Sequence, residues 1–330
     1  MNKLKNFIFK IFIGLVSATS ITFHVQSQPW PADRPIKIVV PYPPGGGTDV
    51  VTRVVAQYLG PRLSRTVIVD NIPGAGGNIG AYQVVRAAPD GHTLLLAAAP
   101  LTTNPSLYKN IPFDVIKDLV PITMVTRQQF VLVVHPSVSA NSVTELIMLA
   151  KSKPGLLTFG SHSPGGATHL AGELFKVMAD IDLLHVPYKG QAPALADLLA
   201  GRVSMMFDNA STGMTHAGSG KLRALATTGQ KRSNVVAQGQ LPTMAEFKGL
   251  DSFNVISWYG FMAPAGTPNS IIERLATEIS YVMHLPEVIT RLNQLGFEVT
   301  STSPKEFSDY VRSEVTQWAE VIKDANVKLE

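Results

Sequence analysis

The 330-residue sequence contains no cysteine. This absence excludes disulfides, thiolate metal sites, a cysteine nucleophile and a lipidated N-terminal cysteine. Charged residues are also scarce, at 16% of the chain, whereas hydrophobic residues make up 45%. Such a balance argues against long disordered stretches and predicts a folded globular protein with room for two domains, each with its own core.

Acidic residues are missing from the first 27 positions, which hold three lysines and the apolar stretches 11–16 and 21–23. This pattern is typical of a secretory signal peptide (1–27), and we predict cleavage near Ser27. An uncleaved membrane anchor is the alternative, but the apolar part is short for a span. Cleavage removes three positive charges, so the formal net charge falls from +4 to +1. A basic surface for nucleic acid is therefore not expected.

One strand-to-helix junction has the features of an anion site. The apolar run 36–40 leads into Tyr42-Pro43-Pro44-Gly45-Gly46-Gly47-Thr48-Asp49, and a helical apolar stripe follows. Glycines let the backbone approach a ligand, and the first amides of a helix have no intrahelical partner. Nucleotide loops fit poorly, because no lysine follows the glycines and position 50 is Val50 rather than glycine. A tight turn without a ligand is the alternative.

Strands and helices alternate along most of the chain, which predicts an α/β fold built on a mostly parallel sheet. A second αβ series begins near Phe130, and it contains another small polar loop that feeds a helix, at residues 160–170. The two loops are about 120 residues apart. Facing each other across a cleft, they could hold the two ends of an anionic ligand.

The predicted crossings between the two series lie at 126–129 and 254–257. They divide the mature chain into a discontinuous domain 1, made of 28–127 and 256–330, and domain 2, made of 128–255. We expect the C-terminal helices to return to domain 1.

Several side chains near the loops have two possible roles. His169 either contacts the ligand or packs at a helix start, and Asp208 either bonds an amine or hydroxyl of the ligand or caps a turn. Ser161 and Ser163 lack the Gly-x-Ser-x-Gly pattern of a nucleophile elbow. The histidines show no zinc spacing. We therefore predict no catalytic residue, no metal site and no cofactor.

Four motifs carry a resemblance to a known family. Besides the first loop, they are Pro73-Gly74-Ala75-Gly76-Gly77-Asn78-Ile79-Gly80, His185-Val186-Pro187-Tyr188-Lys189-Gly190 and the stretch from Trp258 to Pro268. Together they resemble the Bug-type (TctC-like) receptors of tripartite tricarboxylate transporters, over nearly the whole mature chain. The resemblance implies a periplasmic binding protein of the type II-like, Venus flytrap class, in which two α/β domains close on a small carboxylate.

Carried onto this chain, the resemblance places the ligand on both loops and on one neighbouring strand end. The ligand-binding residues predicted in this way are Tyr42, Pro43, Gly45, Gly46, Gly47, Thr48, Asp49, Ser161, Ser163, Gly165, Gly166, Thr168, His169 and Asp208. One departure is Ser163, which stands where relatives often have glycine, and it suggests a ligand different from theirs.

The implied function is capture of a dicarboxylate, tricarboxylate, acidic amino acid or aromatic acid for a membrane transporter. The expected partners are this carboxylate and, transiently, integral membrane permease subunits, with the receptor acting as a monomer. Two alternatives stay open, a periplasmic hydrolase and a receptor that reports to a sensor.

Overall fold

The structure, a computed structural model, describes Trp30, residues 33–324 and Val327. The predicted signal peptide lies outside these residues. The strands of the described part are β1 (Ile36–Val40), β2 (Val67–Asn71), β3 (Thr93–Ala98), β4 (Leu119–Val134), β5 (Thr158–Ser161), β6 (Leu184–Pro187), β7 (Met205–Asn209), β8 (Arg223–Thr227), β9 (Ile256–Pro264) and β10 (Glu298–Val299).

The α-helices of the same part are α1 (Gly47–Leu63), α2 (Asn78–Val85), α3 (Pro100–Leu107), α4 (Val143–Ser152), α5 (Ala167–Ala179), α6 (Gln191–Leu199), α7 (Ala210–Gly218), α8 (Asn269–Met283), α9 (Pro286–Gln294) and α10 (Pro304–Asp324). None of these helices combines the length and the apolar character that crossing a membrane requires.

The strands pair in the order β2-β1-β3-β9-β4-β7-β5-β6, and β8 and β10 also pair with β4. The outer strands are parallel, as predicted: β1 pairs with β2 and β3, and β5 pairs with β6 and β7. The centre is antiparallel, because β9 runs against β3 and β4, and β4 runs against β7 and β8. The fold is thus the two-part α/β architecture that the sequence predicts, with a mixed rather than mostly parallel centre.

Strand β4 connects the two parts of the sheet. Its first half pairs with β9, and its second half pairs with β7 and β8. The two predicted interdomain crossings lie side by side here, because Thr126 pairs with Tyr259 and Gln129 with Ile256. From the sequence, only residues 130–134 of β4 are predicted as a strand, because the polar residues before them are not typical of a buried strand. The division into domains at these crossings stays a prediction.

Two of the hydrophobic clusters in the described core lie on either side of the crossings. One contains Leu95 and Trp258, and the other contains Phe159 and Phe207. Helix α10 contributes to both, because Phe307 and Val311 pack in the first cluster whereas Trp318, Val321 and Ile322 pack in the second. This helix therefore packs against both clusters.

Some helix boundaries differ from the sequence prediction. The pair Gly60-Pro61 predicts a helix end, but α1 continues to Leu63. The left-handed Ser64 then caps the carbonyls of Gly60 and Pro61. Helices α3 and α7 were not predicted. In α3, Pro100 occupies the start of the helix, which suits proline, whereas Pro105 lies inside it.

The predicted capping residues do begin two of the helices. Ser142 accepts a hydrogen bond from the Glu145 N–H at 3.2 Å, and the Glu145 carboxylate accepts from the N–H of Asn141 rather than of Ser142. At α10, Ser303 and Glu306 form the full reciprocal pair, with distances of 2.8 and 3.2 Å.

Helix α10 also buries one carboxyl group, that of Glu314, which accepts a hydrogen bond from Trp318 Nε1 at 2.9 Å. Burial raises the pKa of Glu314. The folded state then binds the proton more tightly than the unfolded state, so its stability falls as pH rises through that interval. Each unit of raised pKa costs about 1.4 kcal/mol at high pH.

We therefore expect Glu314→Gln to stabilise the protein at pH 8 relative to wild type, and to do so less at pH 5. Urea unfolding at the two pH values measures the difference. Glu320→Gln, at an exposed position of the same helix, is the control. An equal effect of Glu314→Gln at both pH values contradicts the prediction.

Candidate ligand-binding cleft

The first glycine loop, residues 42–49, joins β1 to α1. Gly45 has a φ of 87°, in the region that favours glycine, and Gly46 is the extended N-cap of α1, with φ −78° and ψ 172°. The Gly45 N–H donates to Asp49 Oδ2 at 3.0 Å. The first amides of α1 are left free of intrahelical partners and lie at the positive end of the helix dipole. This is a local environment that attracts an anion.

The second glycine loop, residues 161–169, joins β5 to α5 and has the same construction. Gly165 has a φ of 69°, and Gly166 is the extended N-cap, with φ −75° and ψ 165°. The Gly165 N–H donates to a side chain four residues on, His169 Nδ1, at 2.9 Å. Both loops contain the sequence Pro-Gly-Gly-x-Thr. The chain therefore builds one backbone motif twice, once in each αβ series.

A cavity of about 470 Å³ lies against both loops. Its lining residues are Tyr42, Pro43, Pro44, Gly46, Gly47 and Thr48 of the first loop and helix, Ala98, Ala99 and Pro100 after β3, Ala167 at the start of α5, and Ser257 and Tyr259 of β9. Carboxyl ends of strands β1 and β3 and the starts of α1 and α5 thus meet at one cleft. A cleft of this size holds a small organic ligand.

Two glycines of the first loop differ in what surrounds them. A Cβ on Gly47 would lie 2.8 Å from Tyr259 Oη and 2.9 Å from Phe297 Cζ, so packing requires glycine there. A Cβ on Gly46 would have only the Pro43 carbonyl near it, at 3.9 Å. The open side of Gly46 faces the cavity, which it lines. Packing within the protein therefore does not require glycine at this position.

Tyr259 and Ser257 are cleft residues that the sequence analysis did not select. They lie on the same side of β9, and Trp258 between them is buried. Strand alternation was the available signal, because it places residues 257 and 259 on one face. Burial raises the pKa of Tyr259, and burial together with the neighbouring Tyr259 and Tyr108 raises that of Tyr42. Both phenols keep their protons and can donate to an anion.

Asp49, a predicted ligand residue, is occupied by protein partners. Besides the Gly45 N–H, its carboxylate accepts from Arg53 Nε at 3.0 Å and from Asn71 Nδ2 at 3.1 Å. Hydrogen bonds from Arg53 are the main reason that the pKa of Asp49 lies below its usual value. The carboxylate stays ionised and holds the loop, and its charge is compensated within the protein.

Ser161 is also enclosed by protein. Its side chain is fully buried, and Oγ lies 2.7 Å from His185 Nε2. In serine hydrolases, a histidine at this distance acts as the general base that activates the serine nucleophile. However, burial lowers the pKa of His185 to about 4, so the ring is a weak base. This pair supports the loop from below.

Ser163 is exposed at the tip of the second loop. Its carbonyl accepts from the Gly166 N–H at 3.2 Å, and a Cβ on Gly166 would lie 2.5 Å from the Ser163 hydroxyl. Within the described part of this loop, Gly165 is the residue with positive φ. Serine at 163 is therefore free of left-handed strain.

Thr168 is buried, and its Oγ1 accepts from the His162 N–H at 3.0 Å.

Three side chains beneath the second loop have the composition of a metal site. Ligand atoms of His169, Glu173 and His185 lie within 4.8 Å of one another. His169 Nδ1 already accepts the Gly165 N–H, so the proton of the neutral ring is on Nε2, which faces Glu173 Oε1 at 3.5 Å. A protonated nitrogen does not coordinate metal, and Lys176 occupies the other Glu173 oxygen at 2.9 Å. Hydrogen bonds within the protein therefore explain why these side chains lie together.

Asp208, at the carboxyl end of β7, is fully buried beside the second loop. Its Oδ1 accepts from His162 Nε2 at 3.1 Å and from Gln191 Nε2 at 2.8 Å. Within the described residues, its Oδ2 has no hydrogen-bond partner. A buried carboxylate oxygen without a donor is costly, so this atom has capacity for one.

The two-part α/β sheet, with its helix N-termini and glycine loops at one cleft, defines an extracytoplasmic solute-binding protein. Residues 51–327 match the family described as "Tripartite tricarboxylate transporter family receptor", and the chain belongs to this family of periplasmic receptors. The resemblance stated from the four motifs is confirmed. The family description makes its members the receptors of a tripartite tricarboxylate transporter.

Relatives match along nearly the whole chain. Protein BugT of Bordetella pertussis is 38% identical over 320 residues, which cover 96% of this chain and 97% of BugT. The structure of R. palustris Rpa4515 with adipate is 33% identical, with a TM-score of 0.72, and covers 91% of this chain and 100% of that one. MatC of Rhodopseudomonas palustris with bound malate is 29% identical, with a TM-score of 0.68, and covers 88% and 99%.

Proposed function

We propose that this protein captures a small organic carboxylate between the two glycine loops and delivers it to the permease of a tripartite tricarboxylate transporter. The observation that carries the proposal is the repeated loop, because two free helix N-termini at one cleft suit the two ends of a dicarboxylate. Adipate and malate, the ligands of the two similar structures, are both dicarboxylates. The predicted signal peptide supports a periplasmic location for the receptor.

Binding follows from the two-part fold. In the open form a carboxylate of the ligand docks on the amides of Gly47 and Thr48, with the protonated Tyr42 and Tyr259 hydroxyls as further donors. Closure about the crossings in β4 and β9 then brings Ala167 and Thr168 onto the other end. The ligand shifts the population towards the closed form by its difference in affinity for the two forms.

Asp208 adds a preference within the carboxylates. We propose that its free Oδ2 accepts a hydrogen bond from an amine or hydroxyl of the ligand. An ionised oxygen paired in this way is worth about 1.5–3 kcal/mol, or roughly a tenfold or greater preference. Malate, which carries a hydroxyl, should therefore bind more tightly than succinate, which lacks it.

A thermal-shift screen of residues 28–330 tests the proposal. The panel contains succinate, malate, adipate, citrate, aspartate, glutamate and benzoate, with a nucleotide, a divalent metal and a neutral sugar as controls. A ligand of the folded state raises the midpoint with the logarithm of its excess. A rise for one carboxylate class supports the proposal. Stabilisation by the nucleotide or metal alone contradicts it, and equal shifts for malate and succinate contradict the role of Asp208.

The two alternative functions are separated by other measurements. A receptor that feeds a permease is required for uptake of its radiolabelled ligand by cells, whereas a sensor component changes gene expression and leaves uptake intact. The hydrolase alternative has lost its support, since the serine and histidine that lie together are enclosed beneath the second loop.

A further inference from the structure

The two glycine loops are held by different side chains at the same place. Asp49 and His169 are each the third residue of their helix, and each accepts the N–H of the glycine four residues before it, at 3.0 and 2.9 Å. Each is also backed by a charged residue four positions later, Arg53 for Asp49 and Glu173 for His169. The loops therefore share their backbone and differ in the chemistry of their anchor.

We infer that Asp49 and His169 are positioning residues for ligand binding, and that the second loop, unlike the first, loses its anchor when His169 becomes protonated. The expected effect on ligand affinity rests on the proposed function. The expected effect on loop structure depends only on the two hydrogen bonds from Gly45 and Gly165.

The asymmetry follows from the two acceptors. His169 Nδ1 can accept the Gly165 N–H only while it carries no proton, and protonation places a second N–H against that of Gly165. The Asp49 carboxylate has no such limit near neutral pH, because Arg53 and its other donors keep its pKa below the usual value. The second glycine loop (residues 161–169) is thus pH-sensitive, and the first glycine loop (residues 42–49) is not.

The charged and titratable groups that face His169 are few. Glu173 and Lys176 lie on the same helix and pair with each other at 2.9 Å. Burial opposes the ionisation of Glu173, but hydrogen bonds from His169 and Lys176 prevail and lower its pKa. His185 on β6 stacks on His169 with ring centroids 3.8 Å apart, and its pKa of about 4 keeps it neutral above pH 5.

The sign of the pH effect is fixed by this arrangement. A neutral His169 holds the loop, because only an unprotonated Nδ1 can accept the Gly165 N–H. The binding conformation is therefore most populated at high pH and declines as the pH falls. Carboxylates of a free ligand stay ionised between pH 8 and 6, since their ordinary pKa values are near 4. A change in affinity over this interval reports on the protein.

The first test needs no ligand. In protein labelled with 15N-glycine, the amide resonance of Gly165 should move as the pH is lowered from 8 to 5.5, while that of Gly45 stays in place. Gly45 is the internal control, because its anchor remains ionised. A Gly165 resonance that stays in place, or equal movement of the two glycines, overturns the inference.

The second test uses a matched pair of variants and malate as the probe. His169→Asn keeps a neutral acceptor, and Asp49 shows that a side chain of this length reaches the glycine from this helix position. His169→Leu removes the acceptor. For wild type we expect malate affinity to fall roughly tenfold from pH 8 to 6, equivalent to one lost hydrogen bond.

His169→Leu should bind at least about tenfold more weakly than wild type at pH 8. His169→Asn should recover part of that loss and show no decline towards pH 6. A decline of wild-type size in His169→Asn overturns the inference. His162→Gln should keep the decline. If malate binds at no pH, the proposed ligand class is wrong. The pH response of the Gly165 and Gly45 amide resonances then still shows whether His169 anchors the second glycine loop.

Discussion

Replacing Gly46 by valine should abolish carboxylate binding while the protein still folds. The backbone of Gly46 is extended, with φ −78° and ψ 172°, which valine adopts without strain. Its side chain would enter the cavity and keep a carboxylate from the amides at the start of α1. Two charge-assisted hydrogen bonds, each worth about 1.5–3 kcal/mol, are then lost, so affinity should fall at least about 100-fold. Isothermal titration with the best ligand of the screen measures this loss.

Gly218→Val is the matched control, because a Cβ on Gly218 meets no atom within 4 Å and Gly218 lies at the end of α7, outside the lining of the cleft. Its affinity should equal that of wild type. The unfolding midpoints of both variants should stay within about 2 °C of wild type, equivalent to roughly 1 kcal/mol. Unchanged affinity in Gly46→Val rules out the first loop as a ligand site.

Gly172→Ala should destabilise the protein by about 2–3 kcal/mol, although alanine is the better helix former by about 1 kcal/mol. A Cβ at this position of α5 would lie 2.1 Å from Cε2 of Phe159, a fully buried ring. Phe159 stacks on His185 at 4.7 Å, and His185 stacks on His169. Displacement of the ring therefore reaches the support of the second loop. Urea unfolding measures the loss of stability.

Gly218→Ala is the control for helix propensity, since its new methyl group enters open space. It should be neutral or slightly stabilising. The opposite signs of the two glycine-to-alanine changes separate packing from propensity. A Gly172→Ala protein as stable as wild type would show that Phe159 has room to move, and that the support of the loop is looser than described.

Both glycine loops were predictable because their signals are local. Each is a short apolar run followed by glycines and a helix start, and this pattern can be recognised without knowing what the rest of the chain does. The strand 93–98 and the caps at Ser142 and Ser303 were found for the same reason. Dihedral preference and hydrogen bonding within a few residues determine these features.

The remaining features depend on pairing between distant segments. Strand β4 is stabilised by β9, more than 100 positions away, so its polar first half does not look like a strand in isolation. Tyr259 belongs to the cleft only because β9 lies between β3 and β4. The roles of the site residues also depend on the fold, because each role follows from the direction in which the side chain points. Asp49 and Ser161 point into the protein, and only the fold shows this.

A crystal structure of residues 28–330 with the tightest-binding carboxylate of the screen tests the central claim most directly. One carboxylate group should lie within hydrogen-bond distance, 2.7–3.2 Å, of the Gly47 and Thr48 amides, and the other end of the ligand should face Ala167 and Thr168. The contradicting result is a ligand bound elsewhere, such as the groove between Arg127 and Arg232, with both glycine loops unoccupied.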